Sequence, residues 1–153
     1  VSVHQELADS KNLTMGIEAI ERIVSVDHKM SRKIILLLLD NAVKFTPEKG
    51  QITISAEMTP SLPQVEMSNN QSNSKEWLRI SIEDNGPGIG SDDQERIFNL
   101  FEQADGGLDR NFEGTGLGLA LAQSLAKALN GHISLRSNPG EGSTFTLVLP
   151  TTQ

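Results

Sequence analysis

The sequence predicts an α+β fold: a layered sandwich of helices on a largely antiparallel sheet. Two observations carry this. Strand-like alternations come in neighbouring pairs joined by turn-forming residues, and two long apolar runs at helical spacing stand apart from them. Strands that alternate with helices would instead give a doubly wound parallel sheet. No internal repeat is present.

Residues 1–12 are mostly polar and read as a linker or the tail of a preceding helix. Residues 13–20, Leu-Thr-Met-Gly-Ile-Glu-Ala-Ile, alternate in part and read as a strand. Residues 22–26 read as a second short strand, because Ile23, Val24 and Val26 are β-branched. Asp27 is an N-cap for the helix that comes next. Residues 30–45 form this helix, which is apolar nearly all round, so most of its faces should be buried. Asp40, Asn41 and Lys44 interrupt that run and are informative for that reason. Thr46-Pro47-Glu48-Lys49-Gly50 ends it. Residues 51–57 alternate as a strand with Ile52, Ile54 and Ala56 on one face. Residues 58–76 are rich in Ser, Asn, Pro and Gln and read as a long mobile insertion between two hairpin strands. Residues 77–84 are the next strand, with Leu78, Ile80 and Ile82 alternating. Asp92 or Asp93 would cap a short helix through Ile97 and Phe98. Residues 104–113 are poor in apolar side chains and contain Gly106-Gly107, a composition that suits a lid. Residues 117–129 are the second strong helix, ended by Asn130-Gly131. Residues 132–137 and 143–149 are strands joined by Asn138-Pro139-Gly140-Glu141-Gly142, and Pro150 stops the last one. Residues 151–153 are a tail.

Composition narrows the function. The chain has 153 residues, enough for one domain with its own core. A net charge of -7 without any Lys/Arg run argues against nucleic-acid binding and anionic-membrane contact. With no cysteine, disulfides, thiolate metal sites and a cysteine nucleophile are excluded. The absence of a signal peptide or apolar span in these residues leads us to expect a cytoplasmic domain, a placement compatible with a membrane-anchored parent protein.

Four stretches carry chemistry. Residues 113–120, Glu-Gly-Thr-Gly-Leu-Gly-Leu-Ala, alternate three glycines ahead of a helix. Such a turn exposes backbone N–H groups at the positive end of a helix and suits an anion; a tight turn closing a surface loop fits equally well. It is not the dinucleotide fingerprint, since Leu119 takes the third-glycine position. There is also no P-loop sequence, no G-x-S-x-G and no His/Glu metal-ligand cluster. Asp84-Asn85-Gly86-Pro87-Gly88-Ile89-Gly90 leaves a strand. Its aspartate could accept from an exocyclic amine while the glycines let a flat ring approach; a common Asp-Asn-Gly turn is the plain alternative. Asn41 could offer a neutral oxygen to Mg²⁺, and Lys44 a cation to phosphate. Taken alone, each is better read as a backbone-bonded amide and a solvated lysine. Ile97, Phe98, Leu100 and Phe101 form an apolar knot before the lid.

In order, these stretches resemble the catalytic, ATP-binding domain of sensor histidine kinases, part of the superfamily that includes gyrase, the large heat-shock chaperone and mismatch-repair ATPases. Asp40-Asn41-Ala42-Val43-Lys44-Phe45-Thr46-Pro47 is similar to the N box. Asp84-Asn85-Gly86-Pro87-Gly88-Ile89 is similar to the first glycine box, and Ile97-Phe98-Asn99-Leu100-Phe101-Glu102-Gln103 to the F box. Gly114-Thr115-Gly116-Leu117-Gly118-Leu119-Ala120 is similar to the second glycine box, and Gly140-Glu141-Gly142-Ser143-Thr144-Phe145 to the terminal element. The wording Phe101-Glu102-Gln103-Ala104-Asp105 is similar to kinases of the hybrid type. Any one motif is weak; their order and spacing across residues 13–150 is specific.

The resemblance implies a two-layer α/β sandwich of the Bergerat type, a mixed, mostly antiparallel sheet packed under three helices. It implies that Asp84 binds the adenine amino group, helped through water by Thr144, with Gly86, Gly88 and Ile89 shaping that side. Asn41 would hold Mg²⁺, and Lys44 and Arg110 would contact phosphates. Gly114, Thr115, Gly116, Leu117, Gly118 and Leu119 would wrap the triphosphate of ATP. Asn41 and Lys44 would act catalytically by positioning. The nucleophilic histidine would come from a separate dimerisation domain, since His4, His28 and His132 match no acceptor setting. The phosphoryl group would pass on to a response-regulator receiver domain, and the fragment alone would be monomeric. The sequence departs from the pattern in two places: the acceptor histidine is missing, and the family often has a polar residue one turn before the N-box asparagine where this chain has Leu37. Two other readings stay open. One is a degenerate sensor domain that binds nucleotide or a partner without catalysis; the other is an anti-sigma-type serine kinase or ATPase of the same superfamily.

Overall fold

The computed structural model describes residues 8–19, 21–60, 76–94, 97 and 116–151. Among them five strands form one sheet: β1 (Thr14–Glu18), β2 (Gln51–Thr59), β3 (Trp77–Asp84), β4 (His132–Asn138) and β5 (Gly142–Pro150). Their spatial order is β1-β2-β3-β5-β4. The β1–β2 pair is parallel and the other three are antiparallel. The sheet is therefore mixed and mostly antiparallel, as expected.

Helix α1 (His28–Phe45) and helix α2 (Gly116–Ala128) pack against each other and on one face of the sheet. The reason lies in strand parity. On β3, Leu78, Ile80, Ile82 and Asp84 are buried, and on β5 so are Ser143, Phe145, Leu147 and Leu149. Ile34, Leu38, Ala42 and Val43 of α1 meet this face, with Leu119, Ala122 and Ala126 of α2. Asp27 caps α1 as expected, its carboxylate accepting from Met30 N at 2.8 Å. Past α2, Asn130 takes a left-handed φ of 56°, and Gly131 N–H returns to Ala126 O at 2.8 Å.

Three expectations change. Residues 22–26 are not a strand: among the described residues none pairs with them in a ladder. Val24 and Val26 pack on the core, while Ile23 is fully exposed, so β-branching here serves packing rather than pairing. The hairpin extends further into the polar stretch than composition suggests, since Met58 pairs with Leu78 and Thr59 with Trp77. Within the 58–76 insertion, residues 61–75 lie outside the described residues. The helical turn at residues 91–94 starts before Asp92 and Asp93, with Gln94 N–H donating to Gly90 O at 2.9 Å. Both aspartates then lie in the first turn, where the helix dipole favours negative charge. Among the described residues no helix is long and apolar enough to cross a membrane.

Candidate functional site

Asp84 ends β3 on the helix-facing side, 6% exposed. Burial raises its pKa above the ordinary carboxylate value, and the neighbouring Glu83 pushes the same way. The backbone N–H groups of Gly86 and Ser143 oppose this by bonding the ionised form. Gly86 N lies 2.8 Å from Asp84 Oδ1. A carboxylate has roughly four lone-pair sites, so acceptor capacity is left for an incoming N–H.

The loop after Asp84 is fastened from several directions. Ile89 N–H donates to Ser137 Oγ at 2.8 Å, and Ser137 in turn donates to Gly142 O at 2.7 Å. Ser143 Oγ lies 2.9 Å from Ser137 Oγ. With the single Ser137 proton on Gly142 O, Ser143 is the donor of that pair. Gln94 Nε2 donates to Ile89 O at 2.7 Å and Ser137 O at 2.9 Å, and Gly140 N–H donates to Pro87 O at 2.7 Å. Two glycines permit this closeness. A Cβ on Gly88 would fall 1.9 Å from Asn138 O, and one on Gly142 would fall 1.9 Å from Asp84 O. Both also have φ in the left-handed region, at 71° and 91°.

Thr144 does not join this group. It pairs with Glu83 and Arg136, in a row on the sheet face turned away from the helices. Ser143, paired with Asp84, stands where Thr144 was expected. The parity of Phe145, Leu147 and Leu149 was the available signal, because residue 143 must share their face. Ser137 shares a face with Ile133 and Leu135 by the same rule. Gln94 had no such mark.

The other wall comes from α1. Asn41 is half-buried and Lys44 is exposed near the helix end, with Lys44 Nζ 5.8 Å from the Phe45 ring centre. Leu37, one turn before Asn41, is half-buried at the seam between the helices; a Cβ on Gly118 would lie 3.8 Å from Leu37 Cδ2. The backbone of Gly116, Leu117 and Gly118 forms the first turn of α2, where main-chain N–H groups lack intrahelical acceptors. Leu119 is 6% exposed in the core, so any ligand contact it makes must come from its backbone. Arg110, Gly114 and Thr115 lie outside the described residues, as do the 104–113 lid and Phe98, Leu100 and Phe101. Among the described residues no cluster of three His, Cys, Asp or Glu side chains could hold a metal. His132 is half-buried, and burial together with Arg79 holds its pKa below the usual imidazole value.

Residues 26–153 match the family described as histidine kinase-, DNA gyrase B- and HSP90-like ATPase. The chain belongs to this family. Its relatives include the signal transduction histidine-protein kinase BarA of Escherichia coli, 41% identical over 74% of this chain and 11% of BarA. The sensory/regulatory protein RpfC of Xanthomonas campestris is 39% identical over 78% of the chain and 15% of RpfC. The non-motile and phage-resistance protein of Caulobacter vibrioides is 34% identical over 83% of the chain and 14% of that protein. The chain thus spans a small part of the length of these relatives. Among solved structures, full-length ShkA in complex with AMPPNP superposes with a TM-score of 0.68 at 26% identity, over 100% of this chain and 31% of ShkA. The catalytic domain of histidine kinase ThkA, in a nucleotide-free form, superposes with a TM-score of 0.70 at 24% identity, over 99% of this chain and 88% of that one. The latter likeness concerns the fold. The histidine kinase-like ATPase family thus accounts for the mixed sheet, the two packed helices and the motif order together.

Proposed function

We propose that this domain binds Mg-ATP and presents the γ-phosphoryl group to a histidine on a separate dimerisation domain of the same sensor kinase. The observation that carries the reading is Asp84: a buried carboxylate, pinned by Gly86, with acceptor capacity left at the mouth of a fastened glycine loop. Asp84 would accept from the adenine amino group, and the Gly86–Ile89 backbone would lie along the ring. Ser143 takes the role of supporting hydroxyl beside Asp84 in place of Thr144. The N–H groups that open α2 would face phosphate oxygens, with Lys44 adding charge, and Arg110, Gly114 and Thr115 would close that side.

The donors present fit magnesium. Asn41 supplies a hard neutral oxygen, and magnesium is usually held by few protein ligands with phosphates and water completing its shell. When bound, the ion would supply charge neutralisation on the phosphates. The chain's own residues would orient the nucleotide and hold its charge, the main means of catalysis in phosphoryl transfer. The bond from the γ-phosphorus to the bridging oxygen would break, a bond to an imidazole nitrogen would form, the imidazole proton would pass to water and ADP would leave. The phosphoryl group would then pass to an aspartate on a receiver domain. On this reading the domain would work in the cytoplasm, as the kinase half of a longer protein.

Radiolabelled ATP mixed with the chain and a histidine-bearing helical acceptor domain tests the reading; acid-labile, base-stable label on the acceptor is expected. A second reading rests on Leu37, an apolar side chain where a polar one could orient water or metal: a domain that binds ATP as a sensor without transfer. Tight ATP binding with no acid-labile phosphohistidine would favour it.

A further inference from the structure

The last carbonyls of a helix lack intrahelical donors, and the helix dipole favours a cation beside them. At the end of α1 one ammonium meets two such oxygens and the carbonyl of the C-cap, Thr46. Lys11 Nζ donates to Val43 O at 2.9 Å, to Lys44 O at 2.8 Å and to Thr46 O at 3.0 Å. An ammonium has three donors, so all of them go to one helix end.

The main chain around Lys11 is held as well. Lys49 N–H donates to Lys11 O at 2.9 Å. Asn12, at φ 51°, reverses the chain so that Leu13 N–H returns to Ala8 O, and Thr14 N–H donates to Gly50 O. Ala8 is 5% exposed and belongs to the hydrophobic core. Residues 8–13 therefore pack onto the domain, although they precede the stretch matched by the family.

We propose that Lys11 is a positioning residue for the phosphate side of the site. The turn it caps is the one that carries Lys44, whose own carbonyl it bonds, and Asn41 lies one turn earlier. The loop after Asp84 is fastened by Ser137, Gln94 and Gly140, and its Asn85 exchanges hydrogen bonds with Gln51. It meets the α1 end where Gly86 lies beside Phe45 O, a carbonyl that Lys11 does not bond. Loss of the ammonium therefore loosens the Lys44 wall of the site more than the Asp84 wall. Residues 8–10, which hold Lys11 in place, are coupled to the site helix through it. This inference rests on the nucleotide reading above, and its test separates the two.

The test is calorimetric titration of the full chain and of Lys11→Met with Mg-ATP and, separately, with adenosine. Methionine keeps the length of the side chain without the ammonium. From the worth of a cation at a helix end, Mg-ATP should bind about 5-fold more weakly to the variant, with adenosine affinity unchanged. Equal weakening for both ligands, or no weakening for either, overturns the proposal. Should Lys11→Met lose cooperative unfolding, Lys11→Arg replaces it, because a planar fork cannot aim at all three carbonyls. The same split, reduced to about 2-fold, is then expected, and its absence is fatal. A wild-type chain that binds neither ligand overturns the nucleotide reading and this proposal with it. Wild-type binding of both without a split in the variant overturns Lys11 alone.

Discussion

The two walls of the site are made differently. The Asp84 wall is a junction of strand ends, where the 85–90 loop, the β4–β5 turn and the helical turn at 91–94 bond one another through backbone and short side chains. The α1 wall is a single helix end with an exposed lysine, held from outside by Lys11. A flat base with a fixed donor pattern needs a surface set before it arrives. A charged and flexible triphosphate can be met by a long side chain and by the N–H groups that open a helix. On the proposed function, base recognition is preformed and phosphate recognition is adjustable.

Gly142→Ala should disturb this contrast most. Its Cβ would overlap the Asp84 carbonyl at a left-handed φ, and relief must move the junction. A loss of about 3 kcal/mol in denaturant unfolding is expected, from backbone strain plus overpacking. Gly140→Ala is the control. It has a left-handed φ but open space around it, so only the strain of about 1 kcal/mol should appear.

Asp84→Asn comes next and should separate stability from binding. The raised pKa means that the folded state holds the Asp84 proton more tightly than the unfolded chain does. Stability from this group is thus greatest at low pH and falls as pH rises from the unfolded value of 3.8 through the folded one. At neutral pH the buried charge is a cost, so the asparagine variant should unfold no earlier than wild type in thermal melts. Its ATP affinity should nevertheless drop by at least about 10-fold, since an amide nitrogen cannot accept from the adenine amine. In wild type, ATP binding should weaken with acid as Asp84 protonates, at a pH above 3.8.

Ser137→Ala should have a smaller effect. It removes the acceptor for Ile89 N–H and the donor to Gly142 O, at about 1–2 kcal/mol of stability. Adenosine and ATP should then weaken together, the reverse of the Lys11→Met pattern. Lys44→Met should have the least effect on the fold. On the order of a 3-fold loss of ATP affinity is expected, larger at low salt, with adenosine unaffected.

Much of the fold was legible because its signals are periodic. The alternation at residues 77–84 marked β3 with its true ends, and Asp27 ahead of an apolar run marked the start of α1. The error at residues 22–26 shows the limit, because propensity cannot supply a ladder partner. The site was legible as motifs and less so as geometry. The glycine boxes located the Asp84 loop, but the family pattern placed Thr144 where strand parity places Ser143. Gln94 and Lys11 left no trace, since a side chain that bonds a distant backbone obeys no spacing rule. Leu119 shows the opposite mismatch: its glycine-rich setting suggests a ligand, while its side chain completes the core.

The contrast between the walls turns on whether the junction around Asp84 reads the base without help from the phosphate side. Calorimetric titration of adenosine, without magnesium, into wild type and Asp84→Asn answers this. Measurable binding to wild type and a loss of at least about 10-fold in the variant are expected. Equal adenosine affinity for the two proteins would refute base reading by Asp84.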